Sequence, residues 1–519
     1  MQKKFNITDF LIDRNLHKNF GDHISIYYKN QKITYSELAR AINRRGSALK
    51  ELNLHTNERV LLILNDAPDF VISFLAILKI GCFAILTSTF LKKGEYNSII
   101  KSYLPKIVIV DEYNFSKVKR LKNEHPAVTW LITGKQKSGF KSLLKIEAKQ
   151  SDELASANTT NGSKAFCLFT SCTSGKPKSV WHSHRDLAFC YDGYAKTIFR
   201  INPQDRTFSA SKLFFAYGLQ HNLALPFYTG AAAILFPGKP TPLNILKIIN
   251  KYKPTLFFAV PTIYKRLLCY KQRKQHNLCR KISRLKSVRL YISAGEYLPP
   301  SLFFLWKKEL GSEIIDGIGC TESLSDFMIN NPGRAIAGSC GFLVKGYQAK
   351  LMDGKFKLVS VGKIGDLFLK GGSIGSFYSD GEGRLRNIIK KGWFKTGDKL
   401  SKTKNGYFLF HGRSDYMMKV DGLWVSPLEI EEELSSCPDV LESAVVPEKS
   451  KDNFIRPKAF IVLRKKHKNI KALIRRLKDH LKKRLPSYKL LGKIAFVESL
   501  PRTSTGKLLR NKLCIFKKG

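Results

Sequence analysis

Through the first four-fifths of the chain, short apolar runs alternate with longer amphipathic segments, and this rhythm constrains the fold more than any other feature. The runs at 59–64, 106–110, 129–132, 165–169, 255–260, 290–293 and 313–316 read as buried strands. One intervening segment opens at Thr34-Tyr35-Ser36-Glu37-Leu38 and runs to about Leu52; another spans 245–252. Both carry apolar residues at helical spacing. This alternation predicts an α/β fold of largely parallel sheets flanked by helices. Such sheets bind ligands in loops beyond the carboxyl ends of their strands, so those loops are where chemistry is sought.

The run 70–86 is broken only by Ser73, Lys79 and Gly81 and approaches the ~20 residues a membrane helix needs. Lys79-Ile80-Gly81, however, has the form of a helix end: a cation in the last turn, then a glycine cap. A helix followed by a buried strand is predicted, with no membrane span. The first residues carry Lys3, Lys4, Asp9, Asp13 and Arg14 and no apolar core, so no signal peptide is expected. None of the 10 cysteines forms a Cys-x-x-Cys pair. Zinc and thioredoxin patterns are therefore not expected, and a reduced, cytoplasmic setting is.

Lys and Arg number 89 against 41 Asp and Glu, a net charge of +48. Most of the excess is spread along the chain. From Arg456 onward, 21 Lys and Arg face only Asp479 and Glu498. Such a surface suits polyanionic ligands such as nucleotides or coenzyme A. No RNP-type aromatic signature, zinc-finger spacing or basic heptad accompanies it, so nucleic acid is not the expected partner.

Residues 147–163 are polar and aperiodic and read as a surface connector. From about Phe356 the texture shifts to short strands with glycine turns, such as Lys370-Gly371-Gly372 and Asn405-Gly406. After Ser414 a compact α+β segment follows, read as a separate C-terminal domain.

Five loops carry chemistry-bearing residues. After the strand 165–169 comes Thr170-Ser171-Cys172-Thr173-Ser174-Gly175-Lys176-Pro177-Lys178-Ser179-Val180. Its hydroxyls, amides and lysines can cradle a polyphosphate, though its spacing is not that of a Walker A loop. Tyr291-Ile292-Ser293-Ala294-Gly295-Glu296 and Asp316-Gly317-Ile318-Gly319-Cys320-Thr321-Glu322 are strand ends running into small residues. Small residues admit a flat ring against the backbone, and Glu322 could hold a hard cation. Phe394-Lys395-Thr396-Gly397-Asp398 with Gly412-Arg413-Ser414-Asp415 offers an acid to ribose hydroxyls. Pro501-Arg502-Thr503-Ser504-Thr505-Gly506-Lys507 presents a lysine that can meet a phosphate as a point charge. Each loop alone is equally readable as a polar turn or a basic tail.

Taken together and in this order, the five loops resemble the ANL superfamily of adenylate-forming enzymes. The resemblance extends from Thr34-Tyr35-Ser36-Glu37-Leu38 to Lys507-Leu508-Leu509-Arg510, nearly the whole chain. Within it the chain looks most like the benzoate–CoA ligase group, through Lys212-Leu213-Phe214-Phe215-Ala216-Tyr217-Gly218-Leu219, Ser293-Ala294-Gly295-Glu296, Asp316-Gly317-Ile318-Gly319 and Gly422-Leu423-Trp424-Val425-Ser426-Pro427.

The resemblance implies an N-terminal AMP- and acyl-binding domain over 1–412 and a small mobile catalytic domain over 413–519, hinged near Asp415. It implies an ATP-dependent, AMP-forming acid:thiol ligase that uses Mg²⁺ and coenzyme A and takes a small aryl acid through an acyl-adenylate. Thr170, Ser171, Thr173, Ser174, Gly175 and Lys178 would hold the phosphates, with Thr173 and Glu322 at the Mg²⁺. Gly295, Glu296, Asp316 and Gly317 would form the adenine slot. Thr321 would meet the α-phosphate, and Asp398 with Arg413 the ribose. Ala216, Tyr217, Gly218, Ile318 and Gly319 would line the acyl pocket, with Phe214 or Phe215 in pocket or core. Lys507 would serve adenylation, and Lys419, Gly422 and Trp424 the thiol channel.

The chain also departs from the family pattern. Cys172 and Ser179 stand where glycine is usual, Tyr416 where a second acid is usual beside the hinge, and Lys363 where glutamate is common. Ser325-Asp326 replace a histidine and an apolar residue. Asp326 lining the pocket would disfavour plain benzoate and suit a hydroxyl- or amino-bearing acid; pointing to solvent, it would do neither. Two rival readings follow: an acid–AMP ligase that loads a separate carrier protein, and a degraded member that binds nucleotide without turnover.

Overall fold

The computed structural model describes residues 4–170, 178–189, 192–272, 285–375, 377–379, 384–420, 423–449, 455–465, 467, 469–502 and 508–515. Ser171, Cys172, Thr173, Ser174, Gly175, Gly422 and Lys507 lie outside the described residues.

The helix Tyr35–Glu51 begins where its sequence specifies. The Thr34 hydroxyl accepts from the Glu37 amide, and Glu37 Oε2 accepts from the Thr34 amide at 2.8 Å. This reciprocal cap satisfies two of the helix's otherwise orphaned donors. The run 70–86 divides into the helix Pro68–Lys79 and the strand Phe83–Leu86. Lys79 is buried, and its charge is matched by Asp13 at 2.9 Å. No helix among the described residues is long and apolar enough to cross a membrane.

Among the described residues, the strands form a 14-stranded sheet, a 9-stranded sheet and two small sheets of 2 and 3 strands. In the largest, Ala232–Ile234, Arg206–Ser209, Leu256–Ala259, Leu290–Ser293 and Ile314–Gly319 lie parallel, each beside the next. Beyond Ile314–Gly319 it turns antiparallel through Asp326–Ile329, Ser339–Leu343 and Phe408–Arg413. In the second, Arg59–Ile63, Phe83–Leu86, Ile107–Val110, Thr129–Ile132 and Lys164–Thr170 are parallel, whereas Lys178–Ser183 and Phe377–Ser379 are antiparallel. The sheets are thus mixed, where the alternation pointed to largely parallel ones. The reason is local. The connections from Thr170 to Lys178 and from Gly319 to Asp326 are too short for a crossover helix, so each must return as a hairpin.

Residues 147–163 are polar, as expected of a connector, but they are tied to the core. The Ala157 amide donates to Lys79 O at 2.9 Å, the Phe5 amide to Thr159 O at 2.8 Å, and Asn6 Nδ2 to Thr159 Oγ1 at 3.2 Å. The C-terminal region has its own core, in which Ile430 and Val445 pack with Leu473, Leu477 and Leu481. The helix Ile470–Lys482 buries those three leucines on one stripe and leaves Lys471, Arg475 and Arg476 exposed. Much of the C-terminal charge is therefore a solvated helix face. This region meets the rest of the chain where Lys265 Nζ donates to Leu441 O at 2.8 Å and the Tyr297 hydroxyl to Glu432 Oε2 at 3.2 Å.

Candidate active site

Residues 294–296 follow one parallel strand and the turn of Thr321 and Glu322 follows its neighbour, whereas Asp398 and Arg413 lie within antiparallel strands rather than on a turn. Thr170 ends one strand and Lys178 begins its antiparallel partner, directly opposite in register. Ser179 points inward, fully buried, with its hydroxyl 2.7 Å from that of Tyr103. A side chain in place of the family's usual glycine is thus accommodated within the core.

The turn after Ile314–Gly319 carries Thr321 and Glu322 and is held from several sides. His182 Nε2 lies 3.0 Å from Thr321 O, and its Nδ1 lies 3.0 Å from Asp186. The Gly375 amide donates to Glu322 O at 2.8 Å, and the Tyr378 hydroxyl donates to Glu322 Oε1. Burial, and then the Glu322 charge, push the Tyr378 phenol well above its usual range. Leu324 sits in the left-handed region at φ 61°, a conformation that costs a bulky residue roughly 1–3 kcal/mol. Its buried side chain and the hydrogen bonds of Ser323 to Cys320 O and Ser325 O oppose that cost. His182, Gly375 and Tyr378 were not legible as site residues, because the turn of Thr321 and Glu322 that they hold lies far along the chain, and Asp186 joins them only through His182.

Asp398 and Arg413 are cross-strand partners, and Arg413 Nη1 donates to Asp398 Oδ1 at 3.0 Å and to Thr396 O at 2.8 Å. Asp398 is 5% exposed. Burial raises its carboxyl, and the Arg413 guanidinium opposes the rise. The Glu322 charge acts on both residues, which places these three groups in one neighbourhood. Beside them, Asp366 gathers Lys399 at 2.9 Å, Lys395 at 3.2 Å and the Ser414 hydroxyl at 2.9 Å.

Ser293 ends its strand, and Asp316, inside the paired strand Ile314–Gly319, faces it in register. Ser293 Oγ and Asp316 Oδ1 are both buried without a well-formed hydrogen bond among the described residues, although the Ser293 hydroxyl is near enough to favour the Asp316 carboxylate. Burial pushes the Asp316 carboxyl well above the usual carboxylate range. Buried polar atoms left incompletely bonded fit a site that a polar heterocycle completes. Glu296 is committed elsewhere: its Oε2 accepts from the Thr262 amide at 3.1 Å and the Thr262 hydroxyl at 2.6 Å.

The aromatic wall is built by the short helix Ala216–Leu219. A Cβ at Gly218 would collide with the carbonyl of Lys212, so only glycine permits this backbone approach. Leu213 is anchored by its amide to Asp66 Oδ1 at 3.0 Å, and burial raises the Asp66 carboxyl to about 6. Tyr217 is half-buried, and its hydroxyl donates to Ile292 O at 3.1 Å. Ala216 and Ile318 are partly buried against the same core, Phe214 is in the core, and Phe215 is half-buried beside it. Asp326 does not point to solvent. It is 2% exposed, beneath this wall.

On the C-terminal side, Asp415 is exposed two residues after Arg413, and Tyr416 faces the Arg510 guanidinium at 6.0 Å. Lys419 and Trp424 are paired in the hairpin Met418–Val420 and Leu423–Val425. Lys399 Nζ lies 4.6 Å above the Trp424 ring. These residues are near the site by contact rather than within it. Among the described residues, no cluster of three His, Cys, Asp or Glu forms a metal cage.

This architecture matches known proteins along its whole length. The signature of AMP-binding enzymes covers residues 13–379, and that of the AMP-binding enzyme C-terminal domain covers 429–507. Benzoate–CoA ligase of Thauera aromatica is 35% identical over 513 residues, 98% of this chain and 96% of that protein. The crystal structure of an anthranilate–CoA ligase with anthranoyl-AMP superposes with a TM-score of 0.91 at 34% identity, covering 99% of this chain and 97% of its own. A benzoate–CoA ligase from Burkholderia xenovorans superposes at 0.87 with 31% identity, covering 98% and 100%. On these family signatures and full-length likenesses, the chain belongs to the AMP-binding, adenylate-forming enzymes, beside the benzoate–CoA ligases.

Proposed function

We propose that this enzyme joins an aryl carboxylic acid to coenzyme A in two steps, with an acyl-adenylate between them. The carboxylate attacks the α-phosphorus of Mg-ATP, forming a mixed anhydride and releasing pyrophosphate. The thiol then attacks the acyl carbon and AMP leaves. A carboxylate is a poor electrophile at neutral pH, and adenylation supplies the leaving group. The barrier lies in bringing two anions together, which cations and fixed donors offset.

The observation that carries this reading is the grouping of Glu322 with Asp398 and its bonded partner Arg413. Lys178 and the loop it follows receive the phosphates. The buried Ser293 and Asp316 atoms accept the adenine edge. Asp398, steadied by Arg413, accepts from the ribose hydroxyls. Glu322 supplies the one carboxylate that, with phosphate oxygens and water, suits magnesium. Thr321 faces the α-phosphate. Lys507 stabilises charge during adenylation, and rotation of 413–519 about Asp415 exchanges it for the Lys419–Trp424 hairpin in the thiol step. The free thiols of the described cysteines support a reducing, cytoplasmic setting.

The test is pyrophosphate release from Mg-ATP with benzoate, hydroxy- and aminobenzoates, phenylacetate and short aliphatic acids, each with and without coenzyme A. The expected result is release driven by an aryl acid and accelerated by coenzyme A. Release indifferent to coenzyme A reassigns the acceptor to a carrier protein. Bound nucleotide with no release under any acid overturns the reading. Lys507→Ala is expected to abolish pyrophosphate release while retaining thioester formation from preformed acyl-AMP.

A further inference from the structure

A buried carboxylate stands in the proposed acyl recess without a part in ATP chemistry. Asp326 Oδ2 lies 2.6 Å from the Tyr194 hydroxyl and 3.5 Å from His221 Nε2. Tyr194 and His221 are fully buried, and their Oη and Nε2 are 2.6 Å apart. His221 Nδ1 lies 2.7 Å from the carbonyl of Tyr217, the residue that forms the wall. The His221 ring also packs against Tyr217 and Phe258, with centroids 4.4 and 4.7 Å away. Tyrosine, imidazole and carboxylate thus form one chain from the wall to Asp326.

Proton counting fixes what this chain presents. A carbonyl only accepts, so Nδ1 of His221 donates to Tyr217 O. The Tyr194 hydroxyl has one proton but two short contacts, so one neighbour must donate to it. Either His221 carries a second proton and Asp326 is ionised, or Asp326 carries its proton on Oδ2 and His221 is neutral. In both arrangements Oδ1 of Asp326 has no proton and is an acceptor.

Oδ1 is also the oxygen that no group among the described residues engages. It stands against Gly319, where an added Cβ would lie 2.6 Å from it. Gly319 and Asp326 are register partners across the hairpin. Only a glycine at 319 lets Asp326 pack this closely against the strand whose Ile318 and Gly319 the family resemblance assigns to the aryl ring. The hydroxyl of the preceding residue, Ser325, is likewise buried without a partner among the described residues.

We propose that Asp326, held by Tyr194 and His221, is a specificity-determining residue that selects aryl acids whose ring carries an N–H or O–H donor over unsubstituted benzoate. This rests on the aryl-ligase reading above. An amino or hydroxyl group on the ring satisfies Oδ1. Benzoate strips its water and returns only C–H edges, which leaves a buried acceptor unpaired.

The experiment measures kcat/KM for benzoate and for the 2-, 3- and 4-amino- and hydroxybenzoates with the full-length enzyme, its Asp326→Ile variant and the near-isosteric Asp326→Asn variant. The expected result is that the best donor-bearing acid exceeds benzoate on the order of 100-fold in the unmodified enzyme. Asp326→Ile is expected to collapse that ratio to near one and to raise benzoate turnover, a gain no misfolded variant can give. Asp326→Asn is expected to lower the ratio as well, because its amide no longer presents only acceptors. Equal use of benzoate and donor-bearing acids by the unmodified enzyme overturns the proposal. So does an unchanged ratio in either active variant. Absence of pyrophosphate release with every aryl acid is a different result and removes the aryl-ligase reading itself.

Discussion

His182 places Nε2 3.0 Å from the carbonyl oxygen of Thr321, linking the strand that leaves the phosphate loop to the turn that bears Glu322. Asp186 holds the other ring nitrogen at 3.0 Å, and its Oδ1 accepts from the Ser183 hydroxyl at 2.6 Å. A strand of one sheet and a turn of the other are thereby locked together. His182→Ala is expected to lower kcat for pyrophosphate release roughly 10- to 100-fold, as loss of a positioning partner commonly does. A smaller change in the KM for the acid distinguishes this from general damage.

Glu322 is fixed by the Tyr378 hydroxyl as well as by its own backbone. Glu322→Gln removes the carboxylate that the proposed function assigns to magnesium. The half-saturating Mg²⁺ concentration for pyrophosphate release is expected to rise at least about 10-fold. Tyr378→Phe is expected to move it in the same direction by less, since the carboxylate remains.

Arg413 orients the Asp398 carboxylate and favours its ionised form, the form in which the proposed function has it accept from ribose. Asp398→Ala is expected to raise the KM for ATP about 10- to 100-fold, the worth of roughly one hydrogen bond to a charged group. The KM for the aryl acid is expected to change little. Isothermal titration with ATP alone provides a check independent of turnover.

Ser179 occupies a position where the family usually has glycine, and its hydroxyl meets Tyr103 at 2.7 Å. Ser179→Gly removes that bond and adds backbone freedom to the unfolded chain. Stability is expected to fall by about 1–2 kcal/mol in chemical denaturation, with no gain in turnover.

His184 is fully buried, accepts from the Ile7 amide at 3.2 Å through Nδ1, and is held by burial down to about 4. Its folded value lies below the unfolded one, so the native state binds fewer protons in this window. The stabilising contribution is complete above the unfolded value of 6.5 and is lost as pH falls towards about 4. Denaturation midpoints of the wild-type chain and of His184→Gln are expected to diverge across that window. The wild type should lose about 3 kcal/mol more on acidification.

The helix Tyr35–Glu51, the division of 70–86 and the strands Ile107–Val110 and Leu290–Ser293 were legible because capping, periodicity and apolar runs are local signals. The mixed character of the sheets was not, since a buried antiparallel strand and a buried parallel one share the same apolar pattern. The candidate ligands Glu322, Asp398 and Arg413 stood in recognisable loops. Their supports His182, Asp186 and Tyr378 did not, being ordinary strand or helix residues until their partners are known.

The sequence by itself determined the family and the order of its loops, because phosphate, ribose and magnesium each require particular residue types. It also showed that Asp326 departs from the benzoate-type pattern, but left its direction open between pocket and solvent. Only the tertiary structure decided that. Tyr194 and His221 lie far from Asp326 along the chain, and packing brings the three into hydrogen-bond contact beneath Tyr217. A side chain's direction is set by what folds against it, and no local pattern encodes neighbours that arrive from other segments.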